Sequence, residues 1–246
     1  MKRKKIVLVM ILFVLFVNGC SEIKRINITK QNREKNILEG KKIEESNSVK
    51  LSNKESSVKE LYEKLNLNGK LQYKIFQMAM RGFDLISPPQ KKYIAIIDFT
   101  QDSTKKRFFL IDIFNKNIVY NELVAHGMKT GEKEAEHFSN KENSHMSSLG
   151  FYITGESYFG SNGYSLRLDG LEKGLNDKAR ERDIVIHGAS YVSEESIKEM
   201  NRIGRSWGCP ALNPEISKEV IDKLKGGNLL FIYANAYDNS SNLLNS

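Results

Sequence analysis

Cysteine is scarce in this chain: two in 246 residues, Cys20 and Cys209. That excludes a disulfide scaffold and any four-cysteine zinc site. Four histidines (126, 137, 145 and 187) occur without an HxxxH or HExxH pattern, so no metal or other cofactor is expected. Four prolines against 17 glycines exclude collagen-like and low-complexity chains. Long apolar runs are missing too. The longest, Ile6 to Val17, has twelve residues, and as a helix it rises about 18 Å against roughly 30 Å of bilayer core. What remains, 40% apolar and 28% charged residues, is the composition of a globular protein.

The formal charge of +8 invites a nucleic-acid reading, but the N-terminus removes half of it. Met1-Lys-Arg-Lys-Lys, the apolar run and then Asn18-Gly19-Cys20 have the basic, apolar and small-residue order of an export signal. The cut site resembles a bacterial lipobox, with Val17 at −3, Gly19 at −1 and Cys20 as the lipidated residue. Loss of residues 1–19 takes Lys2, Arg3, Lys4 and Lys5 with it and leaves +4. The expectation is therefore a signal peptide over 1–19 and an exported protein anchored to membrane through lipid on Cys20. Residues 20–56, rich in Lys, Glu, Asn and Ser without an aromatic, bury too little apolar area to order themselves and are expected to be a flexible tether. No nucleic-acid partner is expected.

Structure should begin at Ser57-Val58-Lys59-Glu60, which has capping-box spacing. Leu71, Ile75, Met78 and Ala79 continue a helical face up to Pro88-Pro89, so residues 57–90 are expected to be a helical N-terminal extension. From Lys92 the period changes to two. Tyr93–Phe99, Phe108–Ile113, Ile118–Val124, Tyr152–Thr154, Ser165–Asp169, Asp183–His187 and Leu229–Tyr233 are predicted strands. One later helix is well signalled by Asn213 as N-cap, Pro214 at N1, apolar Ile216, Val220, Ile221 and Leu224, and then Gly226-Gly227. The fold expected over 91–237 is mainly β with flanking helices, an antiparallel sandwich or barrel-like domain, followed by a disordered tail over 238–246.

With Cys20 lipidated, Cys209 is the one free thiol of an exported chain, either buried and inert or kept for reactivity. Gly204-Arg205-Ser206-Trp207-Gly208-Cys209-Pro210-Ala211 suits neither strand nor helix. A cysteine in such a turn can present its sulfur beside converging N–H groups. Upstream, His187-Gly188 closes an apolar strand. An imidazole paired with the thiol would supply the thiolate that a free cysteine largely lacks at neutral pH. By themselves these residues leave catalysis and a structural cysteine equally open.

The surrounding blocks favour catalysis. His187-Gly188, a helix and then Ser206-Trp207-Gly208-Cys209 resemble the signature of the murein L,D-transpeptidases. Ala125-His126-Gly127-Met128, Phe138-Ser139-Asn140, Ser147 to Tyr152, Tyr164 to Leu168, Gly170-Leu171-Glu172 and Ile184 to Ala189 extend that resemblance in order over about residues 60 to 235. Two departures stand out: Trp207 replaces the usual loop histidine, and the interval from His187 to the loop is longer. The resemblance implies action on peptidoglycan stem tetrapeptides. Cys209 is then the nucleophile, His187 the base, Gly188 the group orienting it through a carbonyl, and Trp207 and Gly208 the oxyanion-binding backbone. It also implies a position facing the cell wall, the periplasm in a Gram-negative host. Arg205, Ser206, Tyr164, His126 and His145 are weaker candidates for substrate contacts, and a monomer is expected. The alternatives are a non-catalytic peptidoglycan-binding lipoprotein, favoured by Trp207, and the same fold releasing the acyl group to water. A sortase lacks its Thr-Leu-x-Thr-Cys loop here, and a papain-like peptidase would need a histidine after Cys209, where none occurs.

If Cys20 carries the anchor, Cys20→Ala should move the protein out of the membrane fraction or leave its signal uncleaved. A lipid-free fragment starting at Ser57 should keep full activity. Loss of activity in that fragment would count against the tether.

Overall fold

The computed structural model describes residues 54–240, 243 and 244; the expected signal and Cys20 lie outside them. Residues 54–64 are helical (α1), so the helix starts before the capping box expected at Ser57. α2 spans Tyr73–Ile86 and buries Ile75, Phe76, Ala79, Met80, Gly82 and Phe83 along one stripe. It ends where Ser87 turns left-handed, its N–H on the Phe83 carbonyl, immediately before the two prolines.

Eight strands follow: β1 (Tyr93–Asp98), β2 (Phe108–Asp112), β3 (Asn117–Glu122), β4 (Gly150–Gly160), β5 (Gly163–Gly170), β6 (Val185–Gly188), β7 (Ala211–Leu212) and β8 (Leu229–Tyr233). Helix α3 (Glu194–Met200) lies between β6 and β7, and α4 (Pro214–Leu224) between β7 and β8. The sheet order is β3-β2-β1-β8-β4-β5-β6-β7. Five pairings are antiparallel, while β1–β8 and β6–β7 are parallel. Past the end of β3, Ala125 bridges Ala211 of β7 through a 2.9 Å N–H···O bond. The two ends of the order therefore meet, and the sheet is a nearly closed barrel. That is the mainly β, barrel-like architecture expected from sequence. Among the described residues no helix is long and apolar enough to cross a membrane.

The last strand, β8, lies inside the sheet between β1 and β4. All five of its residues are buried, which is why it is a continuous apolar run rather than an alternating one. Phe231 of β8 stacks on Phe151 of β4 with centroids 4.2 Å apart, and α2 closes over that pair. α4 packs against β6 and buries Val220, Ile221 and Leu224 in the core, its start capped by Asn213 Oδ1 accepting from the Glu215 N–H at 2.9 Å.

One boundary is corrected. Asn235–Asn239 form a 3-10 helix, so the start of the tail expected over 238–246 is ordered, and residues 241, 242, 245 and 246 of it lie outside the described residues. The Asp238 carboxylate accepts from Tyr233 Oη at 3.0 Å. Leu244 is only 6% exposed and joins the core. Tyr237, fully buried against Phe151 and Phe231, holds this end down.

Gly82 gives a test of this packing. An added Cβ would lie 2.2 Å from the Phe151 ring, and the stack with Phe231 leaves that ring no room to yield. Alanine gains about 1 kcal/mol of helix propensity, but overpacking costs roughly 1–3 kcal/mol. The 2.2 Å approach puts the cost at the upper end of that range, so Gly82→Ala should lower the urea midpoint, a net loss of up to about 2 kcal/mol with an unchanged slope. A stabilised variant would mean that α2 is not seated on Phe151.

Candidate active site

Cys209 is held by the short strand that follows it. β7 runs parallel to β6, with His187 opposite Ala211 and Gly188 opposite Leu212. Helix α4 can approach this pair because residue 188 has no side chain. A Cβ there would lie 2.6 Å from Ser217 Oγ and 3.3 Å from Pro214 Cα.

The turn before Cys209 is closed on itself. Ser206 Oγ donates to the Cys209 carbonyl at 2.6 Å and accepts from the Gly208 N–H at 3.0 Å. Gly208 adopts φ +124° with its Cα against Met146, and a side chain would meet the Met146 carbonyl at 2.8 Å. Only glycine satisfies both demands. Ser147 Oγ accepts from the Gly127 N–H (3.0 Å) and donates to the Gly208 carbonyl (3.1 Å). The Ser206 backbone bridges His126 and Met128 on the other side.

Within this frame the thiol is buried, with Cys209 8% exposed. Sγ accepts from the Val185 N–H at 3.5 Å and donates to the Asp183 carbonyl at 3.6 Å. Burial pushes its pKa up to about 11, opposed by the Val185 N–H and the Arg182 cation and aided by the Asp183 carboxylate. The resting thiol is therefore neutral, contrary to the depressed value expected of a thiol paired with imidazole, and its donor bond goes to Asp183 rather than to His187. His187 is also buried, and its Nδ1 is 3.0 Å from the Gly188 carbonyl. A carbonyl oxygen only accepts, so Nδ1 carries the proton and Nε2 keeps a free lone pair. Burial lowers the His187 pKa, with the Gly188 carbonyl opposing. The imidazole is neutral and able to take a proton.

Other sequence candidates fall elsewhere. His126, fully buried, is a structural residue: Arg107 donates to its Nδ1 at 2.7 Å, and its Nε2–H donates to the Gly131 carbonyl at 3.2 Å. Burial and the Arg107 cation lower its pKa to about 4. Arg205 does not stand free for a substrate carboxylate; its Nη1 contacts the Met128 and Gly131 carbonyls and the Glu132 carboxylate (3.0, 3.1 and 2.7 Å). Ser206 is spent on the turn. Tyr164 faces away from the site. Its neighbour Ser165 is the cross-strand partner of His187, successive residues of a strand face opposite sides, and the Tyr164 hydroxyl donates to Asp222 of α4 at 2.7 Å. The Gly208 N–H, expected to bind an oxyanion, is already taken by Ser206. Among the described residues the N–H groups of Trp207 and Cys209 carry no hydrogen bond.

Two candidates do meet at the rim. Trp207, 72% exposed, stacks on His145 with centroids 4.8 Å apart and planes within 4°. A cavity of about 470 Å³ is lined by Phe138, Met146, Leu149, Leu175 and Ala236 and excludes Cys209 and His187, so the chemistry, not this cavity, marks the site. Among the described residues no group of three or more His, Cys, Asp or Glu could hold a metal ion. Sequence reasoning missed Arg182 and Asp183, and Ser147, which it offered as a weak substrate contact, instead braces the Gly208 turn. Arg182 sits in the charged stretch Asp177 to Asp183, which has the pattern of a solvated surface, and only tertiary structure brings it to the cysteine.

Residues 67–233 match the family model of the L,D-transpeptidase catalytic domain. A search of curated proteins finds no match. Among solved structures, similarity is found to an L,D-transpeptidase from Mycobacterium smegmatis (11% identity, 58% of this chain and 59% of that one, TM-score 0.36). It is found also to an L,D-transpeptidase from Stackebrandtia nassauensis (14%, 72% and 76%, 0.36). A third is L,D-transpeptidase 3 from Mycobacterium tuberculosis in complex with a faropenem-derived adduct (12%, 60% and 61%, 0.35). The match to the first covers about three fifths of that protein's length.

The His126 environment predicts an acid limb. Its pKa is about 6.5 unfolded and about 4 folded, so the unfolded chain takes the proton first as pH falls. Stability is complete above pH 6.5 and is lost as pH falls toward 4, by up to about 3 kcal/mol. Burial of His187 acts in the same direction. In urea unfolding, the stability gap between wild type and His126→Gln should narrow from pH 7 to 4.5. A gap that stays constant would mean that His126 is not held neutral.

Proposed function

Because the chain belongs to the L,D-transpeptidase catalytic domain family, we propose that it is a peptidoglycan L,D-transpeptidase with Cys209 as nucleophile and His187 as base. One observation carries the residue assignment. The Gly188 carbonyl fixes the proton on His187 Nδ1, leaving Nε2 basic on the strand that pairs with the Cys209 segment. This is the carbonyl counterpart of the carboxylate that orients histidine in other triads.

On this reading the Cys209 thiol gives up its bond to the Asp183 carbonyl, and its proton passes to His187 Nε2 as Sγ attacks the carbonyl of the L-centre at stem position three. The new S–C bond gives a tetrahedral oxyanion. The free N–H groups of Trp207 and Cys209 are the donors available to it. Collapse breaks the C–N bond to the terminal D-alanine, whose amine takes the proton from Nε2. An acceptor amine then attacks the thioester and loses its proton to Nε2, and the proton returns to sulfur. A second stem as acceptor gives a 3→3 cross-link; water gives an L,D-carboxypeptidase. The stem peptides are the partner, and the lipid on Cys20 would hold the enzyme at the membrane facing them. A second reading, a peptidoglycan-binding lipoprotein, draws on the neutral buried thiol and the exposed Trp207.

Incubation with disaccharide tetrapeptide and mass analysis of products separates the two. Cys209→Ser should abolish the acyl-enzyme. His187→Ala or His187→Gln should slow acylation by roughly 10² to 10⁴. The double variant should be little worse than Cys209→Ser, because the pair acts as a unit. A carbapenem should add its mass at Cys209, as the family resemblance implies. Unimpaired acylation by His187→Ala would remove the assigned base, and binding without turnover would favour the second reading.

A further inference from the structure

Arg182 has no place in the mechanism above, yet it has the least conventional environment of any cation near the nucleophile. It is half-buried, in the turn before β6. Its guanidinium donates to four groups: the Ser139 carbonyl (2.7 Å), Ser148 Oγ (3.3 Å), Ser144 Oγ (3.2 Å) and the Met146 carbonyl (2.7 Å). All four are neutral. Among the described residues no carboxylate pairs with it, so its charge is hydrogen-bonded but not compensated. Such burial is costly, and a neutral side chain could serve the same acceptors.

That charge is directed at the Cys209 turn. A Cβ on Gly208 would lie 3.4 Å from Arg182 Nη2 and 2.8 Å from the Met146 carbonyl that Nη2 holds. The guanidinium thus lies against the backbone one residue from the sulfur. Other groups facing the thiol do not replace it. The Asp183 carboxylate is turned to Arg167 at 3.0 Å. His187 is a neutral imidazole, and Tyr191 is a phenol whose own ionisation is pushed up to about 12 by burial and by Cys209. Tyr152, the titratable group beside Arg182, donates to the Ser148 carbonyl at 2.9 Å and is kept neutral by burial.

We propose that Arg182 is an electrostatic positioning residue for Cys209: its uncompensated charge, fixed under the Gly208 turn, stabilises the sulfur anion that forms as the thiol loses its proton. The same four bonds hold the 139–148 segment against that turn, so clamp and charge must be separated experimentally. The proposal rests on Cys209 being the nucleophile. Alkylation of the thiol needs no peptidoglycan substrate, however, so failure of the charge effect and failure of the transpeptidase reading are distinguishable.

The test is the rate of Cys209 alkylation by iodoacetamide, a neutral reagent, on the full-length protein between pH 7 and 9, followed by mass on the Cys209 peptide. Below the thiol pKa this rate tracks the thiolate fraction, and one pH unit of acidity is tenfold. Arg182→Gln should slow alkylation about tenfold at each pH, whereas Arg182→Lys, which keeps the charge but not the fork, should stay within about twofold. Ser144→Asp keeps the arginine and its clamp but sets a carboxylate on Nη2, and it should also slow the reaction about tenfold. That variant decides the matter even if Arg182→Gln fails to fold. A pure clamp makes lysine as slow as glutamine and leaves Ser144→Asp at the wild-type rate; either result overturns the proposal.

Discussion

The parallel pairing of β6 with the two-residue strand β7 is the contact on which the candidate site depends. Two residues of ladder are too few to hold a register alone, and three neighbours hold it for them. Ala125 bridges Ala211 from the far end of the sheet. The N-terminus of α4 enters the space left by the absent side chain at Gly188. The Ser206 turn is pinned to 126–128 and, through Gly208, to Ser147. Each bond falls within three residues of Ala211, Gly188 or Cys209. A shift of one residue in that ladder would turn His187 to the α4 side and separate the imidazole from the sulfur. Closure of the barrel and alignment of the site are thus one constraint.

What was legible in the sequence follows from whether the cause was local. α4 could be read to its first residue because Asn213, Pro214 and the apolar stripe act within one segment. β1, β2 and β8 were plain because strands buried on both faces are apolar throughout. β7 was not, since Ala-Leu carries no period and is a strand only through what it touches. β4 runs to Gly160, well past the Tyr152–Thr154 core that was read, because the register shifts between Thr154 and Ser157. A bulge breaks the alternation that marks a strand. The two parallel pairings join segments far apart in the chain, beyond any reading of pattern.

The site divides in the same way. Cys209, His187 and Gly188 stood out because an isolated thiol and a histidine closing an apolar strand are visible one residue at a time. Arg205, Ser206, Tyr164 and His126 were read as facing substrate because their residue types suit it. Glu132, Asp222 and Arg107 come from elsewhere in the fold to Arg205, Tyr164 and His126, the Cys209 carbonyl comes to Ser206 from within its own turn, and together they use up these polar groups. Arg107 shows how far this goes: fully buried, it donates to the carbonyls of Gln101 and Val124 and to a neutral imidazole, and its own pKa is lowered to about 9 by burial. Two arginines held by neutral acceptors, Arg107 buried and Arg182 half-buried, flank the 126–128 and 206–209 backbones. Their hydrogen bonds order loops that have little apolar surface to bury.

The neutral resting thiol is consistent with this arrangement. An ion pair of thiolate and imidazolium formed in advance would have to be kept in a pocket where burial disfavours both charges. On the proposed mechanism both groups are neutral at rest, negative charge appears on sulfur only in passing as the proton leaves Sγ for Nε2, and it ends on an oxygen beside backbone N–H groups, where it can be stabilised as it appears. Such a scheme asks the residue before Gly208 for a backbone N–H and a turn conformation, and nothing of its side chain. Trp207 meets that demand with its indole outside, stacked on His145. On the proposed mechanism a tryptophan in the usual histidine position changes the rim of the site and leaves its proton chemistry to His187.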